Sequence, residues 1–175
     1  MIIAFVAYFL GTLPFGRLIS RYYGIHDINK VGSGNVGATN VSRNCGYVAG
    51  AMTLLGDCGK GLVAAHICYI AHEQYLDFLV VIGHIWPVTT GFKGGKGIAT
   101  MSGVLLYKNP YICIVYALLW IIALYRSHIS AIAGVFLSIV CMINCFILRQ
   151  YMLSCTCMLI IWSHRQNLHK ILKRI

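Results

Sequence analysis

The sequence predicts an all-α integral membrane protein, built as a polytopic helical bundle in a single domain over residues 1–175. Hydrophobic residues make up 59% of its 175 residues and charged residues only 10%, whereas about a quarter of a soluble domain is charged. The mean hydropathy is +0.76. Apolar runs alternate with short polar breaks along the chain, which is typical of helical membrane spans.

Seven apolar runs are candidate spans, and a helix needs about 20 residues to cross the hydrocarbon core. Several runs are shorter, which favours tilted helices or half-helices shielded by protein. Merging the weak runs into five spans is the alternative. We favour seven because merging leaves Arg126 and Pro110 in or beside hydrocarbon. Gly11 and Pro14 interrupt the first run. The runs are Ile2–Ser20, Tyr47–Ala71, Tyr75–Trp86, Ile98–Leu106, Tyr111–Tyr125, Ile129–Leu148 and Tyr151–Trp162.

The basic residues predict the orientation of the chain. Fourteen Lys and Arg stand against four Asp and Glu, a formal net charge of +10. In a soluble protein this excess would indicate nucleic acid, but cytoplasmic loops of membrane proteins collect Lys and Arg, so no nucleic-acid partner is expected. Arg17 and Arg21 lie at the C-terminal end of the first run, which predicts that the N-terminus is outside. Seven spans then place the C-terminus in the cytoplasm, with His164–Ile175 as a basic interfacial helix.

The eight cysteines have the pattern of small core residues. Cys141 and Cys145, and likewise Cys155 and Cys157, lie inside apolar runs without a His or a carboxylate at metal-ligand spacing. Buried free cysteines commonly behave as small hydrophobic side chains. We therefore predict no structural disulfide and no metal site.

A first glycine block, Gly32–Asn40, has the composition of an anion site and is followed by Arg43. Glycines allow backbone N–H groups to turn toward a ligand, and arginine can hold phosphate with two donors. A polar turn between two spans is the alternative, but a turn needs only about two to six residues. The donors of this block are Ser33, Gly34, Asn35, Thr39 and Asn40.

A second glycine block, Gly91–Thr100, follows His84 and Pro87 and leads into an apolar run. It resembles a nucleotide-binding P-loop, but Gly97 occupies the position where that motif needs Ser or Thr, and the glycine spacing differs. Lysines before a helix N-terminus still suit a phosphate dianion. His84 is explained equally well as an interfacial histidine. The candidate phosphate ligands of this block are Lys93, Gly94, Gly95 and Lys96.

The second apolar run contains two charged residues, Asp57 and Lys60. Charges inside a membrane are costly and usually functional, and the i, i+3 spacing also allows the two to form an ion pair. A structural charge pair and a role in a binding site therefore stay open at this point.

His72 and Asp77 reproduce a His-x-x-x-x-Asp spacing that a large class of glycerolipid acyltransferases uses. They lie at the predicted outer hinge, between the second and third apolar runs, and away from the basic blocks. They also lack the glycine and arginine blocks of that class. We interpret this match as chance.

Taken together, the blocks resemble those of the bacterial acyl-phosphate:glycerol-3-phosphate acyltransferases, the PlsY type. The resemblance implies several membrane helices with a cytoplasmic active site in the bacterial inner membrane. It also implies transfer of an acyl group from acyl phosphate to the 1-hydroxyl of glycerol 3-phosphate, the first step of phospholipid synthesis. The blocks that carry it are Gly32–Asn40 with Arg43, Asp57-x-x-Lys60-Gly61, His84-x-x-Pro87, Phe92–Thr100 and His164-x-x-Asn167.

The resemblance implies roles for residues along the whole chain. Ser33, Ser130, His164 and Asn167 are the catalytic candidates. The family usually continues with an arginine, a glycine and a glutamate, but here Lys170 stands for the arginine and the sequence stops at Ile175, which implies weaker binding or activity. The substrate- and phosphate-binding candidates are Gly34, Asn35, Thr39, Asn40, Arg43, Lys60, His84, Lys93, Gly94, Gly95 and Lys96.

Direct transfer is the mechanism that we expect, because an acyl phosphate is already activated and the sequence shows no familiar nucleophile–base pair. Alignment and charge neutralisation would supply the acceleration, with no cofactor. The expected partners are the two substrates, membrane lipid and an enzyme that produces acyl phosphate. A transporter or channel for a phosphate-containing solute is the alternative, since broken helices can also bind an anion at mid-membrane.

Overall fold

The computed structural model describes the backbone of residues 1–172 and the side chains in that range except those of residues 166 and 170–172. Every regular element in this range is helical, so the all-α class is confirmed. Four segments are long and apolar enough to cross a membrane. Seven spans and the orientation stay predictions. The four segments are Ile2–Tyr22, Tyr47–Ile70, Pro110–Ser127 and Ser130–Ile147.

The chain divides into two packed units, Met1–Lys108 and a second one that begins at Asn109. The single domain over residues 1–175 therefore stays a prediction. The helices of the first unit are α1 (Ile2–Gly11), α2 (Phe15–Tyr22), α3 (Ala38–Cys45), α4 (Tyr47–Ile70), α5 (Leu79–Ile85) and α6 (Ile98–Lys108), with 3₁₀ turns at Ile28–Lys30, Gln74–Leu76 and Val88–Thr90.

The first apolar run is broken into two helices at Pro14. Helix α1 ends at Gly11 and α2 begins at Phe15. Proline has no N–H to donate and its ring collides with the preceding turn, so a helix does not continue through it. The break leaves the carbonyl of Leu13 without a helical partner, and the Lys60 ammonium of α4 donates to it at 2.8 Å.

The third and fourth runs form half-helices. Helix α5 has 7 residues and α6 has 11, so they are roughly 10 and 16 Å long, whereas the hydrocarbon core is about 30 Å thick. The second glycine block lies between them. Helix α1 packs against α5, and α4 packs against α6, which matches the interpretation of short runs as half-helices shielded by protein.

Small residues let α4 and α6 approach closely. A Cβ atom at Gly61 would collide with the Thr100 carbonyl, and one at Gly103 would collide with the Cys58 carbonyl. The neighbouring charged residues of α4, Asp57 and Lys60, are also buried, and their contacts are with His84 of α5 and with Leu13 and Phe15 at the α1–α2 break.

The first glycine block is partly helical, because α3 begins at Ala38. Gly37 is extended and caps α3, whose first turn begins at Ala38. Helix α3 turns Val41 into a small core with Ile28, Val36 and Ala49. Burial of this apolar face outweighs the weak helix propensity of the glycine- and asparagine-rich sequence.

The second unit contains four helices within the described residues. Helix α8 packs against both α7 and α9, and α10 contacts α8 and α9. Its cysteines are free thiols, and Cys141, Cys145 and Cys157 are buried. The helices are α7 (Pro110–Ser127), α8 (Ser130–Ile147), α9 (Tyr151–Ser163) and α10 (Arg165–Leu172).

Candidate active site

A cleft in the first unit gathers polar residues from distant parts of the sequence. It contains about 260 Å³ of empty volume, part of which is open solvent. The α1–α2 break, α4, α5 and the second glycine block each form part of its wall. Its charged and titratable lining residues are Arg17, Asp57, Lys60, His84 and Lys93, and Val36, Gly94 and Gly95 are among the others.

Lys60 is held firmly at the wall of the cleft. Its ammonium lies 2.8 Å from Asp57 Oδ1, the i, i+3 pair that the spacing suggested, and donates to the Leu13 carbonyl. The same ammonium lies 5.9 Å from the centre of the Phe15 ring. An ammonium has three donors. Among the described residues these two oxygens are its acceptors, which leaves one donor for a ligand.

His84 lies on the other side of the Asp57 carboxylate. Its Nδ1 is 3.4 Å from Asp57 Oδ1, and the residue is 7% exposed. The opposite edge of the ring supports the second glycine block, because a Cβ atom at Gly95 would collide with His84 Nε2. His84 is therefore a buried support beneath that block, and the sequence alone did not separate this position from an interfacial one.

The backbone of the second glycine block folds back on α5. The Gly94 N–H donates to the Ile85 carbonyl at 3.2 Å, and the Gly95 N–H donates to the His84 carbonyl at 3.1 Å. Internal carbonyls thus accept from both amides in this structure, and the role of the two glycines as phosphate ligands stays a prediction. The two glycines still line the cleft, and Lys93 remains its exposed cation.

Lys96 is half-buried and is not among the residues that line this cleft. The non-helical part of the block ends at Gly97, whose φ of +88° lies in the left-handed region, and its last residues form the start of α6, which begins at Ile98. Phe92 also has a positive φ of +61°, which is uncommon for a residue with a side chain and is found where surrounding structure imposes it.

Asn40 organises the first glycine block from within. The residue is 3% exposed, its Oδ1 accepts from the Ser33 N–H at 2.9 Å, and its Nδ2 donates to the carbonyls of Val31 and Asn35 at 3.0 and 2.8 Å. The side chain thus has internal partners for both of its polar atoms. Its binding role stays a prediction beside this scaffolding role.

The remaining candidates of the first block do not line the cleft of the described structure. Ser33 and Arg43 are exposed, and Asn35 and Thr39 are half-buried. Gly34 has a φ of +75°, which glycine adopts without strain. Val36 is the residue of this block that lines the cleft. The block therefore contacts the cleft through an apolar side chain and not through its polar donors.

Arg17 is a cleft residue that the sequence did not single out. One of its guanidinium nitrogens, Nη2, donates to the Lys93 carbonyl at 2.5 Å and to Asn29 Oδ1 at 3.4 Å. In the sequence it reads as an orientation-setting charge after the first span. Its position shortly after Pro14 could have indicated a cleft residue, because a break in a helix can direct the first turn of the next helix toward the protein interior.

The cleft has the electrostatics of a site for a dianion. Three cations, Arg17, Lys60 and Lys93, stand against one carboxylate, Asp57. A phosphate monoester carries a charge of roughly −2 at neutral pH. The described residues contain no group of three or more His, Cys, Asp or Glu that could hold a metal ion.

The second unit carries the other catalytic candidates. Ser130 begins α8 and is half-buried. His164 is 1% exposed and its Nδ1 lies 2.8 Å from the Ile160 carbonyl. Asn167 is half-buried in the first turn of α10, where its N–H donates to the His164 carbonyl at 2.9 Å. The side chain of Lys170 lies outside the described residues.

Asp77, the acid of the His-x-x-x-x-Asp match with His72, forms a structural ion pair. Its Oδ2 lies 2.7 Å from the Lys108 ammonium, and Asp77 is 2% exposed. Burial raises the pKa of the Asp77 carboxyl above its ordinary value, and Lys108 opposes that rise. His72 is exposed. This arrangement ties the end of α6 to the hinge before α5.

Sequence comparison identifies relatives across nearly the whole chain. The family model described as glycerol-3-phosphate acyltransferase matches residues 1–174. A glycerol-3-phosphate acyltransferase of Neisseria meningitidis serogroup B is 35% identical over 96% of this chain and 91% of the relative. The enzyme of that name from Carboxydothermus hydrogenoformans is 37% identical over 96% and 90%.

Two crystal structures of PlsY, an integral membrane glycerol 3-phosphate acyltransferase, share the fold. The glycerol 3-phosphate form has a TM-score of 0.90 at 32% identity, and the lysophosphatidic acid form has a TM-score of 0.87 at 31% identity. Each match covers 98% of this chain and 91% of the PlsY chain. Together with the relatives, these similarities show that the chain belongs to the glycerol-3-phosphate acyltransferase family of integral membrane proteins.

Proposed function

We propose that this protein transfers a fatty acyl group from acyl phosphate to the 1-hydroxyl of glycerol 3-phosphate. The products are 1-acylglycerol 3-phosphate (lysophosphatidic acid) and phosphate, and the reaction begins phospholipid synthesis. The observation that carries the proposal is the cleft with three cations, Arg17, Lys60 and Lys93, against the single carboxylate of Asp57. The PlsY structures, determined with glycerol 3-phosphate and with lysophosphatidic acid, support the same acceptor and product.

The chemistry of the cleft favours an acyl phosphate as the donor. No Ser or Cys is among the residues that line it in the described structure, and the two threonine hydroxyls there, of Thr12 and Thr90, donate to backbone carbonyls and are not paired with a base. In direct transfer the 1-hydroxyl oxygen attacks the acyl carbon, the bond from that carbon to the phosphate oxygen breaks, and the hydroxyl proton ends on the released phosphate. The protein then supplies alignment and charge neutralisation.

The residues divide into two phosphate-binding groups in this proposal. Lys60, Lys93 and Lys96 bind one substrate phosphate, and Arg43 with the first glycine block binds the other. His84 supports the second glycine block from beneath, as its contact with Gly95 indicates.

Three further parts of the proposal rest on the family resemblance alone: the catalytic residues of the second unit, the location and the source of the acyl donor. Ser130, His164 and Asn167 orient the attacking hydroxyl. The proposed location is the bacterial inner membrane, with the reaction at the cytoplasmic face. An enzyme that makes acyl phosphate would supply the donor.

The test uses the purified full chain in detergent with palmitoyl phosphate and glycerol 3-phosphate, without coenzyme A or acyl carrier protein. We expect phosphate and lysophosphatidic acid to appear in equal amounts, which separates transfer from hydrolysis of the donor. Folded protein that releases no phosphate, or that makes the product only with an acyl thioester, would contradict the proposed reaction.

A further inference from the structure

A chain of hydrogen bonds runs from Asp27 and Asn29, which precede the first glycine block, through Arg17 to the second glycine block. Asp27 Oδ1 accepts from the backbone N–H and from the side-chain Nδ2 of Asn29, at 3.2 and 2.9 Å. Asn29 Oδ1 in turn accepts from Arg17 Nη2 at 3.4 Å, and the same nitrogen donates to the Lys93 carbonyl at 2.5 Å. We refer to Arg17, Asn29 and the Lys93 carbonyl as the Arg17 bridge.

One end of the bridge is attached to the first glycine block. A Cβ atom at Gly34 would lie 2.9 Å from the Asn29 carbonyl, so the two backbones are in contact. Hydrogen bonds from Asn29 lower the pKa of the Asp27 carboxyl below its ordinary value, so the carboxylate that orients Asn29 is ionised at neutral pH. Asn29 therefore lies between the backbone of Gly34 on one side and the Arg17 guanidinium on the other.

The other end of the bridge holds the backbone of Lys93. Its carbonyl accepts from Arg17 and also from the Thr90 hydroxyl at 3.1 Å. A hydrogen bond from a charged donor is roughly twice as strong as a neutral one, so Arg17 is the stronger of these two restraints. The restraint acts on the backbone and leaves the Lys93 ammonium available for a ligand.

We propose that Arg17 is a positioning residue that sets the separation between the two phosphate-binding glycine blocks. The inference rests on the proposed function, in which each block binds the phosphate of one substrate. Acyl transfer needs the hydroxyl oxygen and the acyl carbon in contact, and a displacement of about 1 Å can cost roughly a hundredfold in rate. A residue that spans both blocks controls that distance through its hydrogen bonds to Asn29 and to the Lys93 carbonyl, in addition to the positive charge that it adds to the cleft.

The experiment compares Arg17→Gln, Arg17→Lys, Asn29→Ala and the double variant Arg17→Gln/Asn29→Ala with the original chain. Arg21→Gln is the matched control, because Arg21 lies one turn further along α2, is exposed and donates to the His26 carbonyl. The readouts are kcat and the KM for palmitoyl phosphate and for glycerol 3-phosphate, with size exclusion in detergent as the check on folding.

We expect Arg17→Gln to lower kcat at least tenfold and to change each KM less than about threefold. Arg17→Lys retains the charge and one donor, so its kcat should lie between those of Arg17→Gln and the original chain. The double variant should be no slower than Arg17→Gln, because residues in one network are not additive. If Arg17→Gln does not fold, Asn29→Ala and Arg17→Lys replace it in the test. Each should have a lower kcat than Arg21→Gln and change each KM less than about threefold.

Three results would overturn the inference. Arg17→Gln with the same kinetics as Arg21→Gln would show that the bridge does not matter. Multiplied losses in the double variant would show that the two residues act separately. A loss confined to the KM of one substrate would make Arg17 a direct ligand of that substrate. Absence of turnover in the original chain would instead overturn the proposed function, and the bridge with it.

Discussion

His84 Nδ1 lies 3.4 Å from Asp57 Oδ1, and the same oxygen lies 2.8 Å from the Lys60 ammonium. One buried carboxylate thus contacts a cation that lines the cleft and a histidine that supports the second glycine block. This arrangement lets a single acid set the position of two neighbouring groups. It also explains how ionised side chains are tolerated inside α4, because each has a close partner.

Breaking the buried ion pair is expected to separate stability from activity. Lys60→Met leaves the Asp57 carboxylate without its ammonium partner, which costs roughly 3–5 kcal/mol. Asp57→Asn/Lys60→Met removes both charges and should recover most of that stability, yet remain inactive because the cleft cation is lost. Thermal unfolding in detergent and phosphate release measure the two effects. A double variant as unstable as Lys60→Met would contradict the account.

Gly95→Ala is expected to lower kcat at least tenfold, because the new Cβ collides with His84 Nε2 and displaces the second glycine block. Gly59→Ala is the matched control. It lies on α4, and a Cβ there meets no heavy atom within 4 Å. Both are measured by phosphate release under saturating substrates. Equal activity of the two variants would show that the contact between His84 and Gly95 is unimportant.

Lys93→Ala should reduce kcat/KM by about a hundredfold or more, because a cation that neutralises phosphate charge is removed while the Lys93 carbonyl, and with it the Arg17 bridge, is retained. Arg21→Ala removes an equal charge from an exposed position and serves as the control. If Lys93 binds the phosphate that is released from acyl phosphate, kcat/KM should fall for both acyl phosphate and glycerol 3-phosphate. If Lys93→Ala were as active as the control, Lys93 would not be part of the substrate-binding site.

His72→Ala should leave turnover within about twofold, because His72 is exposed and its sequence partner Asp77 forms an ion pair with Lys108. Asp77→Asn should instead lower the unfolding temperature, since it leaves the Lys108 ammonium without its buried carboxylate. The two variants are assayed together with Lys93→Ala. If His72→Ala were inactive and Lys93→Ala active, the reaction would take place at the hinge and not in the cleft.

Asn167→Ala should lower kcat at least tenfold if this residue orients the attacking hydroxyl, while His169→Ala, an exposed neighbour on α10, should not. Steady-state phosphate release distinguishes the two. Unchanged kcat in Asn167→Ala would show that the family resemblance does not extend to this position.

Local patterns in the sequence determined the class of the protein and many of its parts. The apolar runs predicted α4, α7, α8 and α9, Pro14 marked the break in the first run, and the i, i+3 spacing indicated the pair of Asp57 and Lys60. These features depend on residues within a few positions of each other, on hydrophobic periodicity and on backbone chemistry. The two glycine blocks, with Arg43 after the first and two lysines in the second, were recognisable for the same reason.

Only the tertiary structure decided which of these parts meet. Arg17 reaches the Lys93 carbonyl across 76 positions of the chain, and no local pattern encodes a contact of that separation. The amides of Gly94 and Gly95 donate to carbonyls of α5, because a glycine permits many backbone directions and packing selects one. The sequence therefore determined the chemistry that is available, and long-range packing decided which groups line the cleft and which ones hold it in place.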